Sequence, residues 1–124
     1  MYIADGKTNG PAFSWPDGKR IAVMVTFDYD AEFLRISRAK SKGTSIGFTD
    51  FSRGQYGPHE GLARCLDMLD TMNIKSTFFV PGAVIETYRD TVEEIHRRGH
   101  ELACHGYRHE SDPELSRDEM IKIL

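Results

Sequence analysis

Two histidines lie four residues apart in the stretch Cys104-His105-Gly106-Tyr107-Arg108-His109-Glu110, which directly follows a short apolar run typical of a strand. Imidazole is the commonest protein ligand of zinc-like ions. A catalytic ion of this kind usually takes three protein ligands and leaves one position for water. The two histidines therefore call for a third ligand elsewhere in the chain.

The best candidate for this third ligand lies far upstream, where the apolar run of residues 21–27 ends in Asp28-Tyr29-Asp30. The run is almost continuously apolar and contains β-branched residues, which is the pattern of a strand buried on both faces of a parallel sheet. Two carboxylates at a buried strand end are costly unless they are paired or metal-bound. We therefore prefer a functional interpretation of these aspartates to a loop-capping one.

Strands and helices are predicted to alternate along the chain after an arm or cap at residues 1–19. The predicted strands are residues 21–27, 75–80 and 100–104, and the predicted helices are residues 61–72, residues 85–98 and one that begins at Ser116 with a capping box to Glu119. Residues 31–58 show no sustained period and are predicted to be a long connection, with a turn at residues 52–58. This order is typical of right-handed parallel β/α units, so the predicted fold class is α/β.

Parallel strands bring the predicted ligands to one place, because residues after their carboxyl ends gather at the same rim. Asp28 and Asp30 end the first strand, and His105 and His109 follow the third. A site made by Asp30, His105 and His109 would hold a divalent metal ion, zinc being the first choice, and a water of lowered pKa. Asp28 is then placed to take a proton from that water, which predicts hydrolysis of a polarised carbonyl.

The net charge of −3 argues against a nucleic-acid partner, and no apolar run reaches the length of a membrane span. The 124 residues suit one domain, and the absence of an apolar leader predicts a cytoplasmic location. One local basic cluster is formed by Arg35, Arg38, Lys40 and Lys42. We interpret it as a solvated loop in preference to a phosphate or polyanion site.

The sequence resembles the polysaccharide deacetylase superfamily, also called the NodB homology domain or carbohydrate esterase family four. Thr26-Phe27-Asp28-Tyr29-Asp30 is similar to the family's first motif, usually Thr-Phe-Asp-Asp-Gly, and His105-Gly106-Tyr107-Arg108-His109 to its second, His-Ser/Thr-x-x-His. The stretch Ser76-Thr77-Phe78-Phe79-Val80-Pro81-Gly82 resembles a strand of the family. The resemblance implies a distorted (β/α) barrel, Asp28 as catalytic base, a metal held by the other three residues, and a carbohydrate or small-molecule substrate.

Two departures from the family motifs bear on the substrate. Tyr29 separates the two aspartates, and Gly106 replaces the usual Ser or Thr. Together with Ser52-Arg53-Gly54, these two departures make the sequence more similar to one branch of the family. That branch holds peptidoglycan-deacetylase-like proteins, cyclic imide hydrolases and allantoinase-like enzymes. Arg53 and Tyr107 are candidate substrate-binding residues, although Arg53 would serve equally well in a salt bridge that tethers its loop. N-acetyl sugars and cyclic imides or ureides both remain open as substrates.

Residues 1–124 are predicted to be one incomplete domain, the N-terminal part of the barrel. The family's later motifs, an Arg-x-Pro segment and a distal histidine that acts as general acid, do not occur in this sequence. Three strands also cannot close a barrel, which takes about 200 residues or more. The leading hypothesis is a metal-dependent amide hydrolase. A non-catalytic binding or assembly module, with an exposed sheet edge and a homo-oligomeric state, is the alternative.

Overall fold

The computed structural model describes residues 15–110 and 115–123. Its strands are β1 (Thr26–Asp28), β2 (Thr77–Val80) and β3 (Glu101–Cys104). Its helices are α1 (Phe33–Ser41), α2 (Phe48–Tyr56), α3 (Leu62–Thr71), α4 (Gly82–Thr87), α5 (Arg89–Arg97) and α6 (Arg117–Ile123), with a 3₁₀ turn at Pro16–Gly18 and a π-helical turn at Gly57–Gly61. No helix within the described ranges combines the length and the apolarity that a membrane span requires.

The three strands form one parallel sheet in the order β1-β2-β3, which confirms the predicted α/β class. Asp28 lies opposite Phe79, and Val80 lies opposite Cys104. The carboxyl ends of all three strands therefore meet at one edge of the sheet, as the alternation of strands and helices predicts.

The core lies between one face of this sheet and the helices. Phe78 and Val80 of β2 are buried on that face, and the ring of Phe27 stacks on Phe78 with 5.0 Å between centroids. The helical side of the core is formed by apolar residues of α3 and α5, namely Leu62, Leu66, Leu69, Val92 and Ile95. The predicted apolar face of the helix at residues 61–72 is confirmed at its leucines, whereas Met72 is 59% exposed.

The prediction that residues 21–27 form a strand buried on both faces is wrong. Only Thr26–Asp28 is a strand, and Ile21, Val23 and Met24 are 77%, 82% and 87% exposed. β1 lies at an edge of the sheet and pairs with β2 alone, so the preceding residues have no neighbouring strand in the described part of the chain. A continuous apolar run indicates a segment that tends to be buried. In this structure no other described residue covers that segment.

The long connection predicted at residues 31–58 is also wrong, because this segment contains α1 and α2. The turn predicted at residues 52–58 is the end of α2 and the start of the π-helical turn. Neither helix buries a large apolar side chain, and the buried residue of α2 is Gly54, which packs on the backbone of Glu32. A helix that packs through a glycine leaves no apolar period for sequence analysis to detect.

The helix predicted at residues 85–98 is divided at Tyr88, whose φ of −124° and ψ of 45° are not helical. The hydroxyl of Thr91 donates to the carbonyl of Tyr88 at 2.7 Å, which ties the first turn of α5 to the break. Gly99 has a φ of +77° and ends α5 as predicted. The capping box of α6 is confirmed, since Glu119 N–H donates to the Ser116 hydroxyl at 3.3 Å and the Glu119 carboxylate accepts from Ser116 N–H.

We expect Gly54→Ala to destabilise the protein by roughly 1–3 kcal/mol, the usual range for overpacking. A Cβ at this position would overlap the Cα of Glu32 and lie 2.8 Å from its Cβ. Urea denaturation followed by circular dichroism measures the loss. Ser52→Ala introduces the same residue on the exposed side of α2 and should change stability by no more than about 0.5 kcal/mol. Equal midpoints for the two variants would contradict the close approach of Gly54 to Glu32.

Candidate metal centre

Asp30 is positioned by the residue before it. Tyr29 continues the sheet by donating its N–H to the carbonyl of Phe79 at 2.8 Å, and its side chain is buried in the core. Since successive side chains of an extended chain point to opposite sides, Asp28 and Asp30 lie on the side away from the core. The Tyr29 hydroxyl contacts Thr91 Oγ1 at 2.8 Å, and burial raises the pKa of Tyr29 to about 12. A neutral, hydrogen-bonded tyrosine thus fixes the chain between the two carboxylates.

The turn that carries the histidines is fixed on one side by the start of α4. His105 N–H donates to the carbonyl of Val80 at 3.3 Å, which extends the pairing of β2 with β3. Gly82 and Ala83 then donate their N–H groups to the carbonyls of Gly106 and Tyr107 at 3.0 and 2.9 Å. The first N–H groups of a helix lack partners within the helix, and here they bind the histidine turn.

The same turn is fixed on the other side by α1. The hydroxyl of Ser37 donates to the carbonyl of His109 at 2.7 Å. His109 has a φ of +58°, a left-handed conformation that is uncommon for a residue with a Cβ and that persists only where its surroundings hold it. Glu110 closes the turn, because its Oε2 accepts from the N–H groups of Tyr107 and Arg108 at 3.1 and 2.9 Å.

The structure brings Asp30, His105 and His109 together. The Nε2 of His105 lies 3.4 Å from Oδ1 of Asp30, and the Nε2 of His109 lies 3.9 Å from Oδ2. The two imidazole rings are 4.7 Å apart between centroids, and one ligand atom from each of the three residues lies within 4.8 Å of the others. Ligand atoms on a tetrahedral zinc ion are about 3.3 Å apart, given bond lengths near 2.0 Å.

The polar atoms of this cluster lack the partners that buried groups normally have. Oδ1 of Asp30 and Nε2 of His105 are buried and form no hydrogen bond. Burial raises the pKa of Asp30, the charges of His109 and His105 oppose that rise, Asp28 adds to it and Arg38 opposes it. Buried polar groups without partners are rare. One carboxylate and two imidazoles at these distances, with two of their ligand atoms buried and lacking hydrogen bonds, therefore fit a divalent cation.

The other predicted site residues lie around this cluster with separate contacts. Asp28 is exposed at the end of β1, and its charge acts on Asp30. Tyr107 packs on Gly82, where a Cβ would lie 2.7 Å from its ring, and its hydroxyl donates to Glu86 at 2.9 Å. Arg53 is 67% exposed on α2 and lies 3.8 Å from Asp50 of the same helix, so its salt bridge lies within α2 and does not tether a loop. Substrate binding by Arg53 and Tyr107 stays a prediction.

Sequence analysis missed two residues that support the site. Ser37 binds the carbonyl of His109 from a segment that was expected to be a loop, and nothing in its surrounding sequence marks it. Gly82 was interpreted only as the stop of a strand, although its N–H and its missing side chain both serve the histidine turn. The Pro81-Gly82 pair is the signal that could have indicated this role, since proline is favoured at the start of a helix.

The family model described as "Polysaccharide deacetylase" matches residues 16–124, and the chain belongs to this family of hydrolases. A peptidoglycan deacetylase from Helicobacter pylori is 37% identical over 106 residues, which cover 86% of this chain and 35% of that protein. The chain spans about a third of the length of the curated relatives it matches.

Two solved structures share the fold. The crystal structure of a polysaccharide deacetylase from Mycobacterium smegmatis aligns with a TM-score of 0.79 and 40% identity, covering 94% of this chain and 40% of that one. The structure of PuuE allantoinase aligns with a TM-score of 0.71 and 21% identity, covering 94% of this chain and 45% of that one. The described sheet and helices thus correspond to part of a (β/α) barrel.

We expect the metal-free chain to lose stability as the pH rises from 3.8, the ordinary pKa of an aspartate, through the raised pKa of Asp30. Across this range the folded state holds a proton that the unfolded state has released, so a higher pH favours unfolding. Asp30→Asn should remove this dependence and be more stable than the unsubstituted chain at neutral pH. Urea midpoints measured with a chelator over a pH series give the comparison.

Saturating zinc provides the matched control for this measurement. An ion that binds only the folded state stabilises it. The order of stability at neutral pH should therefore reverse, with the unsubstituted chain above Asp30→Asn. If the unsubstituted chain is the more stable of the two in the presence of chelator, the ionised carboxylate of Asp30 does not destabilise the metal-free fold, and the prediction is wrong.

Proposed function

We propose that this chain carries the metal centre of a hydrolase that cleaves non-peptide C–N bonds of amides, in the manner of a polysaccharide deacetylase. The observation that carries the proposal is the convergence of Asp30, His105 and His109, in which Oδ1 of Asp30 and Nε2 of His105 are buried without a hydrogen-bond partner. Membership of the polysaccharide deacetylase family supports the same function. Zinc is the proposed ion, because three nitrogen and oxygen ligands with one open position are typical of catalytic zinc.

The chemistry divides between the ion and the residues around it. A divalent ion held by Asp30, His105 and His109 would supply a polarised carbonyl and a water of lowered pKa. Asp28 lies on the same side of the chain as Asp30, and its exposed carboxylate accepts the proton of the attacking water. The hydrogen bonds from Ser37 and α4 keep the histidine turn fixed during the reaction, which preserves the ligand geometry.

The proposed substrate is an N-acetylated carbohydrate, because the relatives named above are a peptidoglycan deacetylase and a polysaccharide deacetylase. A second candidate is a cyclic imide or an allantoin-type ureide. Tyr29 between the two aspartates favours it, since the resemblance places this arrangement in the branch that holds such enzymes. Both substrate classes present a carbonyl next to nitrogen, so the same site chemistry serves either one.

A non-catalytic binding or assembly module is the alternative from another class. The exposed apolar side chains Ile21, Val23 and Met24 beside the edge strand β1 support it, since such edges pair readily with other chains. A homo-oligomer and a cytoplasmic location remain part of the proposal.

We expect Asp28→Asn to keep zinc affinity close to that of the unsubstituted chain and to lower the hydrolysis rate by roughly 10²- to 10⁴-fold, the usual contribution of a general base. His105→Ala should lose both zinc binding and hydrolysis, because it removes a ligand. Calorimetric titration of the chain measures zinc binding. Acetate release from N-acetylated oligosaccharides and ring opening of a cyclic imide by the complete native protein measure turnover.

His96→Ala is the matched control, since His96 is an exposed histidine of α5 and no part of the cluster. It should leave zinc binding and both rates unchanged. Full turnover by Asp28→Asn would overturn the assignment of the base. Zinc binding without hydrolysis of either substrate class by the native protein would favour the non-catalytic module.

A further inference from the structure

A cavity of about 370 Å³ separates α1 from the histidine turn. Its polar wall is formed by Ser37, Arg38, Ser41, Lys42, His109 and Glu110. Because His109 is also a member of the candidate metal centre, the cavity adjoins that centre. A molecule with its reacting bond at the metal could extend into this space.

Two positively charged residues line this cavity, Arg38 in the last turn of α1 and Lys42 directly after its end. They lie four residues apart, and both line the same cavity although Lys42 is the residue that caps the end of α1. Neither forms an ion pair with any residue in ranges 15–110 and 115–123, whereas Arg35 on the same helix pairs with Asp50 at 3.3 Å.

The acidic residue in the cavity wall, Glu110, forms no ion pair with Arg38 or Lys42 in the described part of the chain. Oε2 of Glu110 is engaged by the N–H groups of Tyr107 and Arg108. The positive charge of Arg38 also opposes the rise of the pKa of Asp30, a member of the candidate metal centre. The cavity wall is therefore positively charged on the side of α1.

The helix dipole favours all of the cations at this end of α1, so by itself it does not determine which of them line the cavity. Cations in the last turn of a helix are favoured by the dipole, and Lys40 satisfies that preference as well as Arg38 does. Lys40, however, does not line the cavity, whereas Arg38 and Lys42 do. Arg38 and Lys42 therefore line this cavity beside His109 and also a neighbouring groove that contains Asp50.

We infer that this cavity is a subsite for an oxyanion of the substrate, a carboxylate or a phosphate, bound by Arg38 and Lys42 while the amide of the same molecule reaches Asp30, His105 and His109. The planar guanidinium of arginine matches two oxygen atoms, and the lysine ammonium adds a flexible charge. This inference rests on the proposed function and narrows its substrate class from neutral amides to N-acyl compounds that carry an acidic group.

The test uses three small probes that share one acetamide and differ in charge. N-acetylglycine carries a carboxylate, N-acetylaminomethylphosphonate carries a phosphonate as a stand-in for phosphate, and N-acetylglycinamide is neutral. Titration of each probe into the isotope-labelled chain, with and without zinc, is followed by nuclear magnetic resonance. Both anions should bind about tenfold more tightly than the neutral probe and shift the amide signals of residues 37–42 and 109–110. The more tightly bound anion identifies the oxyanion of the substrate.

The double variant Arg38→Gln and Lys42→Gln should lose this tenfold preference and bind all three probes alike. Lys40→Gln is the matched control, because it removes one positive charge from the same helix without changing the cavity wall. It should keep most of the preference. Equal loss in the control and in the double variant would attribute the effect to net charge and overturn the subsite.

Failure of the subsite and failure of the proposed function give different results. A chain that binds zinc but does not distinguish the anions from N-acetylglycinamide would overturn the subsite alone. A chain that does not bind zinc would overturn the metal centre. In that case the zinc-free titration still tests the subsite, because Arg38 and Lys42 are not among the metal ligands. Signals of residues 37–42 that shift with the anions and not with N-acetylglycinamide would support it, and unchanged signals would overturn it.

Discussion

The parallel register of three short strands is the constraint on which the candidate site depends. β2 pairs with both neighbours, and its register places Asp28 beside Phe79 and Val80 beside Cys104. Asp30 and His105 each follow directly from these strand ends, so the hydrogen bonds of the sheet bring together residues that are distant in sequence. An antiparallel pairing of either edge strand would send its carboxyl end to the opposite edge of the sheet, and the three ligands could not converge.

Two residues of the cluster, Asp30 and His109, are held in energetically unfavourable states by the residues around them. Oδ1 of Asp30 is buried without a hydrogen-bond partner, and His109 adopts a left-handed backbone. Both features are unfavourable, and they persist because the surrounding elements determine them. Tyr29 anchors the aspartate from the core side, while Ser37 and the start of α4 anchor the histidine turn. The buried Asp30 oxygen and His105 nitrogen are unfavourable without an ion. Because they form no hydrogen bonds, their lone pairs can bind one.

The sheet has two unlike faces, and the proposed chemistry belongs to the uncovered one. Helices α3 and α5 cover the face formed by Phe78 and Val80, whereas Asp28 is exposed. In a (β/α) barrel the helices lie outside and the site lies at the carboxyl ends of the strands. The arrangement matches that architecture, and the likeness to the deacetylase from Mycobacterium smegmatis covers nearly the whole chain. A base at this position remains accessible to substrate.

The sequence by itself determined the class of the fold, the edge of the sheet that carries the site and the three residues that meet there. These features follow from local patterns: apolar runs of strand length, the three- and four-residue spacing of the leucines of α3, and polar residues at strand ends. The tertiary structure alone decided which segments are helical between residues 31 and 58, because Gly54 packs there through its missing side chain. It also decided that Ser37 supports His109 and that Arg38 and Lys42 border the site. These relations join residues far apart in the chain, and only the folded backbone sets the distances between them.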